Sequence, residues 1–185
     1  MHLSRCIAVL VLLAAPLGAQ QAAAPSQSTL SAEQLKQLAT REFGASFELL
    51  NFPALFFDVD GDGAEDAILV ATSKEPMVDA IDRNYKVVDP YDSYFGFGDP
   101  KITAGFAPTQ IGPPRHLLVV HDWRAATPKS KFVIINLPFD KLSAGRTLRK
   151  KRTIPALSVE ESGGMISFVY WDGKKYKWEP NYMAQ

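Results

Sequence analysis

Asp58, Asp60, Asp62 and Asp66 stand at the first, third, fifth and ninth positions of the stretch Asp58-Val59-Asp60-Gly61-Asp62-Gly63-Ala64-Glu65-Asp66. Carboxylates at that spacing on a tight loop can converge on one point. Gly63, at the sixth position, supplies the sharp turn that lets the Ala64 carbonyl join them. A shell made only of oxygen suits a hard cation, calcium before magnesium, because calcium tolerates about six to eight oxygens in a flexible geometry. With Glu65, five acidic side chains crowd into nine residues. Without a cation, like charges that close disfavour folding. The alternative is a merely acidic turn between strands, which Asp and Gly also favour.

The flanks say what must hold this loop. Leu55-Phe56-Phe57 precedes it, and beyond it Ile68, Val70 and Thr72 alternate with Leu69 and Ala71, so both sides read as strands. An EF-hand would need a bidentate Glu at the twelfth position and helices around it; the residue there is Leu69. Over residues 55–72 the chain resembles the FG-GAP/VCBS repeat family, whose signature is an apolar strand, D-x-D-G-D-G-x-x-D, and another apolar strand. The resemblance implies that Asp58, Asp60, Asp62 and Asp66 are side-chain ligands of calcium and Ala64 a carbonyl ligand. Members of that family usually stack several such repeats as the blades of a β-propeller, often outside the cell. This chain carries a single acidic loop of the kind. Phe95-Gly96 and Gly105-Phe106-Ala107-Pro108 echo the family name but flank no such loop. The resemblance covers about a tenth of the chain, so it supports the metal site and not a propeller.

At the N-terminus, Arg5 gives a short basic start, residues 7–15 an apolar run, and Leu17-Gly18-Ala19 a small-residue exit before Gln20. Residues 1–19 therefore read as a secretory signal peptide, with a cut near Ala24 as the alternative because Leu17 is large for its place. The apolar run is too short to span a membrane. Cys6, the one cysteine, would leave with the signal, excluding disulfides, thiolate catalysis and cysteine-held zinc from the mature chain. Loss of Arg5 leaves 19 basic against 20 acidic residues. That balance gives no general pull toward nucleic acid or membranes. The expected location is secreted or periplasmic.

Residues 20–29 (QQAAAPSQST) read as a flexible leader, and 30–185 as a single α+β domain. The expected architecture is one antiparallel β-sheet with an N-terminal helix packed on it and the strand-loop-strand calcium loop. The helix is placed at 31–43. Ser31 caps it with Gln34 completing a capping box, Leu30 and Leu35 form a hydrophobic staple, and Gly44 ends it. Leu35, Leu38, Ala39 and Phe43 make the stripe that faces the sheet, or else a partner. Further strands are expected at 85–88, 116–122 and 131–137, the latter two near-continuous in apolar residues as in a buried sheet centre. A hairpin turning at Asp172-Gly173 is expected over 164–178.

Residues 89–115 carry Pro90, Pro100, Pro108, Pro113 and Pro114 among Tyr91, Tyr94, Phe95, Phe97 and Phe106, which reads as a long loop. Tyr91, Tyr94, Phe95 and Phe97 are a possible ligand surface, or else pin the loop to the core. Arg146, Arg149, Lys150, Lys151 and Arg152 form a basic run that either binds anions or is a solvated loop or lysine-guarded edge strand.

No G-x-S-x-G, P-loop, G-x-G-x-x-G or H-E-x-x-H occurs. His116 and His121, five apart on one strand, point to opposite faces and cannot share a metal. The leading expectation is a calcium-stabilised binding or accessory module without catalytic activity, serving an envelope or extracellular partner, protein or glycan. The alternative is a calcium-dependent secreted hydrolase with active groups in the 89–121 region. Its candidate groups are His116 and carboxylates such as Asp92, Asp99, Asp122, Glu160 and Glu161.

Overall fold

A computed structural model of the chain describes residues 30–97 and 115–181. The expected signal segment, 1–19, and leader, 20–29, lie outside the described residues, as does the part of the aromatic loop from 98 to 114. Strands β1 (Glu48–Leu49), β2 (Leu55–Phe57), β3 (Asp66–Thr72), β4 (Lys86–Val88), β5 (His116–His121) and β6 (Ser130–Ile134) form the first sheet. Its order is β1-β3-β5-β6-β4, with β2 paired to β3 beyond β1. Only β4 and β6 run parallel. Strands β7 (Lys141–Arg149), β8 (Arg152–Glu160), β9 (Ile166–Trp171) and β10 (Tyr176–Pro180) form a second, fully antiparallel sheet in the order β10-β9-β8-β7. The class is α+β, with two open sheets where the sequence led us to expect one.

The apolar strands explain why two layers must cover the first sheet. On β3, Ile68 and Val70 join Leu117, Val119, Phe132 and Ile134 against Leu157, Val159, Val169 and Trp178 of the second sheet. Ala67, Leu69 and Ala71 join Leu118, Val120 and Val133 against Leu38, Ala39 and Phe43 of helix α1 (Ala32–Phe43). Every residue of β5 is buried. A strand covered on both faces needs a near-continuous apolar run, which residues 117–120 supply between His116 and His121.

Helix α1 begins as its sequence dictates. Gln34 N–H donates to Ser31 Oγ at 3.3 Å and Ser31 N–H donates to Gln34 Oε1 at 2.8 Å, which closes the capping box. Gly44, at φ 93°, donates its N–H to the Thr40 carbonyl. The buried face also contains Glu42, which the stripe did not include. Its carboxylate meets Lys131 Nζ at 3.3 Å, and that ammonium also donates to the Glu42 carbonyl at 3.1 Å.

The start of the 89–115 stretch is not irregular. Asp89 accepts the N–H of Asp92 at 2.9 Å and caps a short helix, α2 (Pro90–Tyr94), with Pro90 in its first turn. Proline is preorganised for that place and has no N–H to leave unsatisfied.

Candidate metal centre

The acidic loop joins β2 to β3, which pair directly at Phe57↔Asp66. Asp58 leaves the first strand and Asp66 opens the second, so antiparallel pairing brings the two ends of the loop together. Asp66 is fully buried. Its Oδ2 accepts the N–H groups of Val59 (2.8 Å) and Asp60 (3.4 Å), and its Oδ1 that of Asp122 (2.9 Å). Burial pushes its carboxyl up to about 7, against the lowering effect of those backbone donors and with a further push from Asp60.

Asp58 organises the turn. Its Oδ1 accepts from Gly61 (2.6 Å) and Asp62 (3.1 Å), and its Oδ2 accepts from Gly63 (2.8 Å). Gly61 and Gly63 sit at φ 79° and 95°, the left-handed region in which L side chains are strained. Asp58, Asp60 and Asp66 offer carboxylate oxygens that all lie within 4.8 Å of one another. Three of the four predicted aspartates are therefore gathered at one point. Asp62 stands outside this trio. Its Oδ1 accepts the Ala64 N–H at 2.9 Å, and its other oxygen accepts from Lys129. Ala64 is half-buried beside it. Glu65 turns away, with Oε1 accepting from Trp123 Nε1 (3.1 Å) and Arg124 (2.8 Å).

The repulsion expected of five crowded acids is met by groups from elsewhere in the chain. Lys129 Nζ donates to Asp60 Oδ2 at 2.9 Å and to Asp62, which raises its own pKa and lowers that of Asp62. His121, almost completely buried, lies with Nδ1 3.3 Å from the same Asp60 oxygen and 2.9 Å from Ser130 Oγ. Its Nε2 meets the hydroxyl of buried Tyr176, from the second sheet, at 2.6 Å. Burial lowers the His121 pKa and drives the Tyr176 hydroxyl well above its ordinary value. Sequence reasoning missed Lys129, Ser130 and Tyr176. The available signal was the hairpin that β5 and β6 make around Pro128: with β5 beside β3, its turn has to land on the acidic loop.

Lys129 Nζ is held between Asp60 and Asp62, and the all-oxygen set of Asp58, Asp60 and Asp66 could hold a hard cation. Compared with protein-family models, with curated proteins and with solved structures, the chain matches none.

Of the other candidate residues that are described, Asp122 reaches this centre through its backbone N–H and the rest are not brought to it. Tyr91 and Tyr94 each place a ring 4.9 Å from Trp178 on β10, and Phe95 lies 5.8 Å from it, so these aromatics pack α2 onto the second sheet. Tyr94 and Phe95 keep 45% and 41% of their surface exposed, and Phe97 is half-buried. His116 is buried beside Phe47, its Nε2 3.2 Å from the Ser73 carbonyl and its Nδ1 without a partner among the described residues. It lies against the α1-side cluster while His121 faces the second sheet, as their spacing required. Asp92 is pushed up to about 6 by burial and by the charge of Asp89, and Glu161 is raised by burial and by Asp140. Asp99 lies outside the described residues. The basic run spans the ends of β7 and β8, and β7 is an edge strand. No described helix is long and apolar enough to cross a membrane.

Proposed function

We propose that residues 58–66 bind calcium and that the chain is a secreted or periplasmic, calcium-stabilised binding or accessory module without catalytic activity. The carrying observation is the convergence of Asp58, Asp60 and Asp66 within 4.8 Å at the mouth of a strand-loop-strand unit. In this reading Asp62 and the Ala64 carbonyl complete the shell, as the FG-GAP/VCBS resemblance implies, once calcium takes the charge that Lys129 supplies. Calcium is favoured over magnesium because the ligands sit on an open loop of backbone-held carboxylates, whereas magnesium demands small octahedral geometry and keeps its water. The loop joins two strands of the central sheet and touches the second sheet through His121 and Tyr176, so an ion there braces the whole fold. The partner is an envelope or extracellular protein or glycan.

Two measurements test this together. Titration calorimetry on chelator-treated protein should give calcium binding with Kd on the order of 10⁻⁴ to 10⁻³ M and weaker magnesium binding. Affinity capture from an envelope fraction should recover a partner in calcium and lose it in EGTA. Absence of calcium binding overturns the metal reading. Hydrolysis of a glycan or ester by the purified chain overturns the non-catalytic one.

A further inference from the structure

The basic run lies at the free end of the second sheet. β7 and β8 pair along their whole length, from Lys141↔Glu160 to Arg149↔Arg152. β9 meets β8 only from Leu157 to Glu160. Among the described residues, the far half of this hairpin is therefore a two-stranded ribbon with no third strand paired to it. Pro155 lies in that half, where its missing N–H breaks no ladder with β9.

The turn at the tip is made by Lys150 and Lys151, at φ 45° and 67°. Two successive residues at positive φ are the geometry of a type I′ turn, which Asn-Gly fills most readily. Lysines there are strained, so turn-forming preference does not explain them. Arg146 and Arg152 stand close by on the two strands, and both are exposed, as are the two lysines. None of these four enters an ion pair among the described residues. Arg149, in contrast, is tied inward to Glu179 and Tyr170. Between Arg146 and Lys150, Leu148 leaves 64% of its surface in water, opposite exposed Thr153.

We propose that the tip of this ribbon docks on the surface of an anionic lipid bilayer. Arg146, which shares the face of Leu148, and the two turn lysines lie at headgroup level with Leu148 entering the boundary beneath them, while Arg152, paired with Arg149, adds its charge from the other face of the ribbon. The cations select a negatively charged surface, since anionic lipid attracts each basic side chain near it. The leucine selects a bilayer over a soluble polyanion, because only the bilayer offers an apolar layer under its charges. Long basic side chains suit that boundary, covering apolar surface with their stems while their heads stay in water.

The test is flotation of the full chain with vesicles of phosphatidylcholine alone or mixed with phosphatidylglycerol, beside a heparin column. Lys150→Asn with Lys151→Gly removes two charges while installing the preferred turn, so it threatens neither folding nor register. Leu148→Ser removes the apolar contact and leaves every charge. The expected result is binding to the anionic vesicles alone. The turn variant should weaken it about twenty-five-fold, from about fivefold per lysine, and Leu148→Ser should weaken it at unchanged salt dependence. The N-terminal apolar run is common to all variants and cannot produce these differences. Equal binding to both vesicle types, or wild-type binding by both variants, overturns the proposal. Retention on heparin without anionic-vesicle binding also overturns it, in favour of a soluble polyanion.

Discussion

Replacing Lys129 by methionine is expected to raise the affinity of the acidic loop for calcium. Lys129 Nζ donates to Asp60 at 2.9 Å and to Asp62, so an ion ligated by those carboxylates must displace it. The two carboxylates hold the lysine proton well above its ordinary range, so the charge is present throughout neutral pH. The Lys129 side chain is 51% exposed, and solvent screens each pair accordingly. At about 0.2–1 kcal/mol for an exposed pair, the two together are worth roughly 0.4–2 kcal/mol. Methionine keeps most of the stem and removes the charge, so calcium affinity should rise about 2- to 30-fold. The same change strips the loop of its internal counter-ion. The melting temperature in EGTA should therefore fall, while the rise produced by calcium grows. Titration calorimetry and paired melts in EGTA and calcium read both effects. A calcium affinity that is unchanged or lower in Lys129→Met refutes competition between lysine and ion.

Three further outcomes follow from the packing. Leu38→Ala should destabilise by roughly 2–5 kcal/mol in urea unfolding, because Leu38 is 5% exposed on the face of α1 that packs on the first sheet, whereas exposed Lys36→Ala should stay within about 0.5 kcal/mol. Lys131→Met should cost about 1.5–3 kcal/mol, since it takes a charged donor from buried Glu42 while Arg41 remains beside that carboxylate; Glu42→Gln added to it should recover part of the loss. Asp92 ordinarily titrates at 3.8 and is held at about 6 in the fold, so the folded state binds its proton more tightly than the unfolded chain. Stability is then lost as pH rises from about 3.8 to about 6 and the penalty is complete above that window. Asp92→Asn should be more stable than wild type at about pH 7 and lose that advantage by about pH 4, which urea midpoints at the two pH values will show.

Local signals in the sequence carried part of this fold. The Ser31 and Gln34 cap needs only residues three apart, and the 117–120 apolar run needs only its own composition, so both were legible. The second sheet was not recognised as separate. On β7 the buried residues Leu142 and Thr147 are five apart, which breaks the two-residue period, and the basic run conceals strand ends that a hairpin partner supports. Helix α2 was hidden by the prolines after it, although Asp89-Pro90 is itself a helix-start signal. At the candidate centre the spacing of Asp58, Asp60, Asp62 and Asp66 pointed to convergence, and three of them do converge. What spacing cannot carry is the contribution of distant chain. Lys129 lies 69 residues from Asp60, and His121 and Tyr176 are 55 apart, so their meeting depends on how the two sheets pack.

The calcium response of the melting temperature, read on wild type and Asp60→Asn in EGTA, calcium and magnesium, tests the central claim most directly. Asp60→Asn keeps a side-chain oxygen for the Asp62 N–H but loses the charged ligand. With Kd on the order of 10⁻⁴ to 10⁻³ M, about 1 mM calcium should add roughly 0.4–1.4 kcal/mol to the wild type. That corresponds to a rise of about 1–6 °C, with a smaller rise in magnesium and little or none in Asp60→Asn. Wild type and Asp60→Asn melting identically in calcium and in EGTA would contradict it, and the loop would be an acidic turn held by Lys129 and its own backbone.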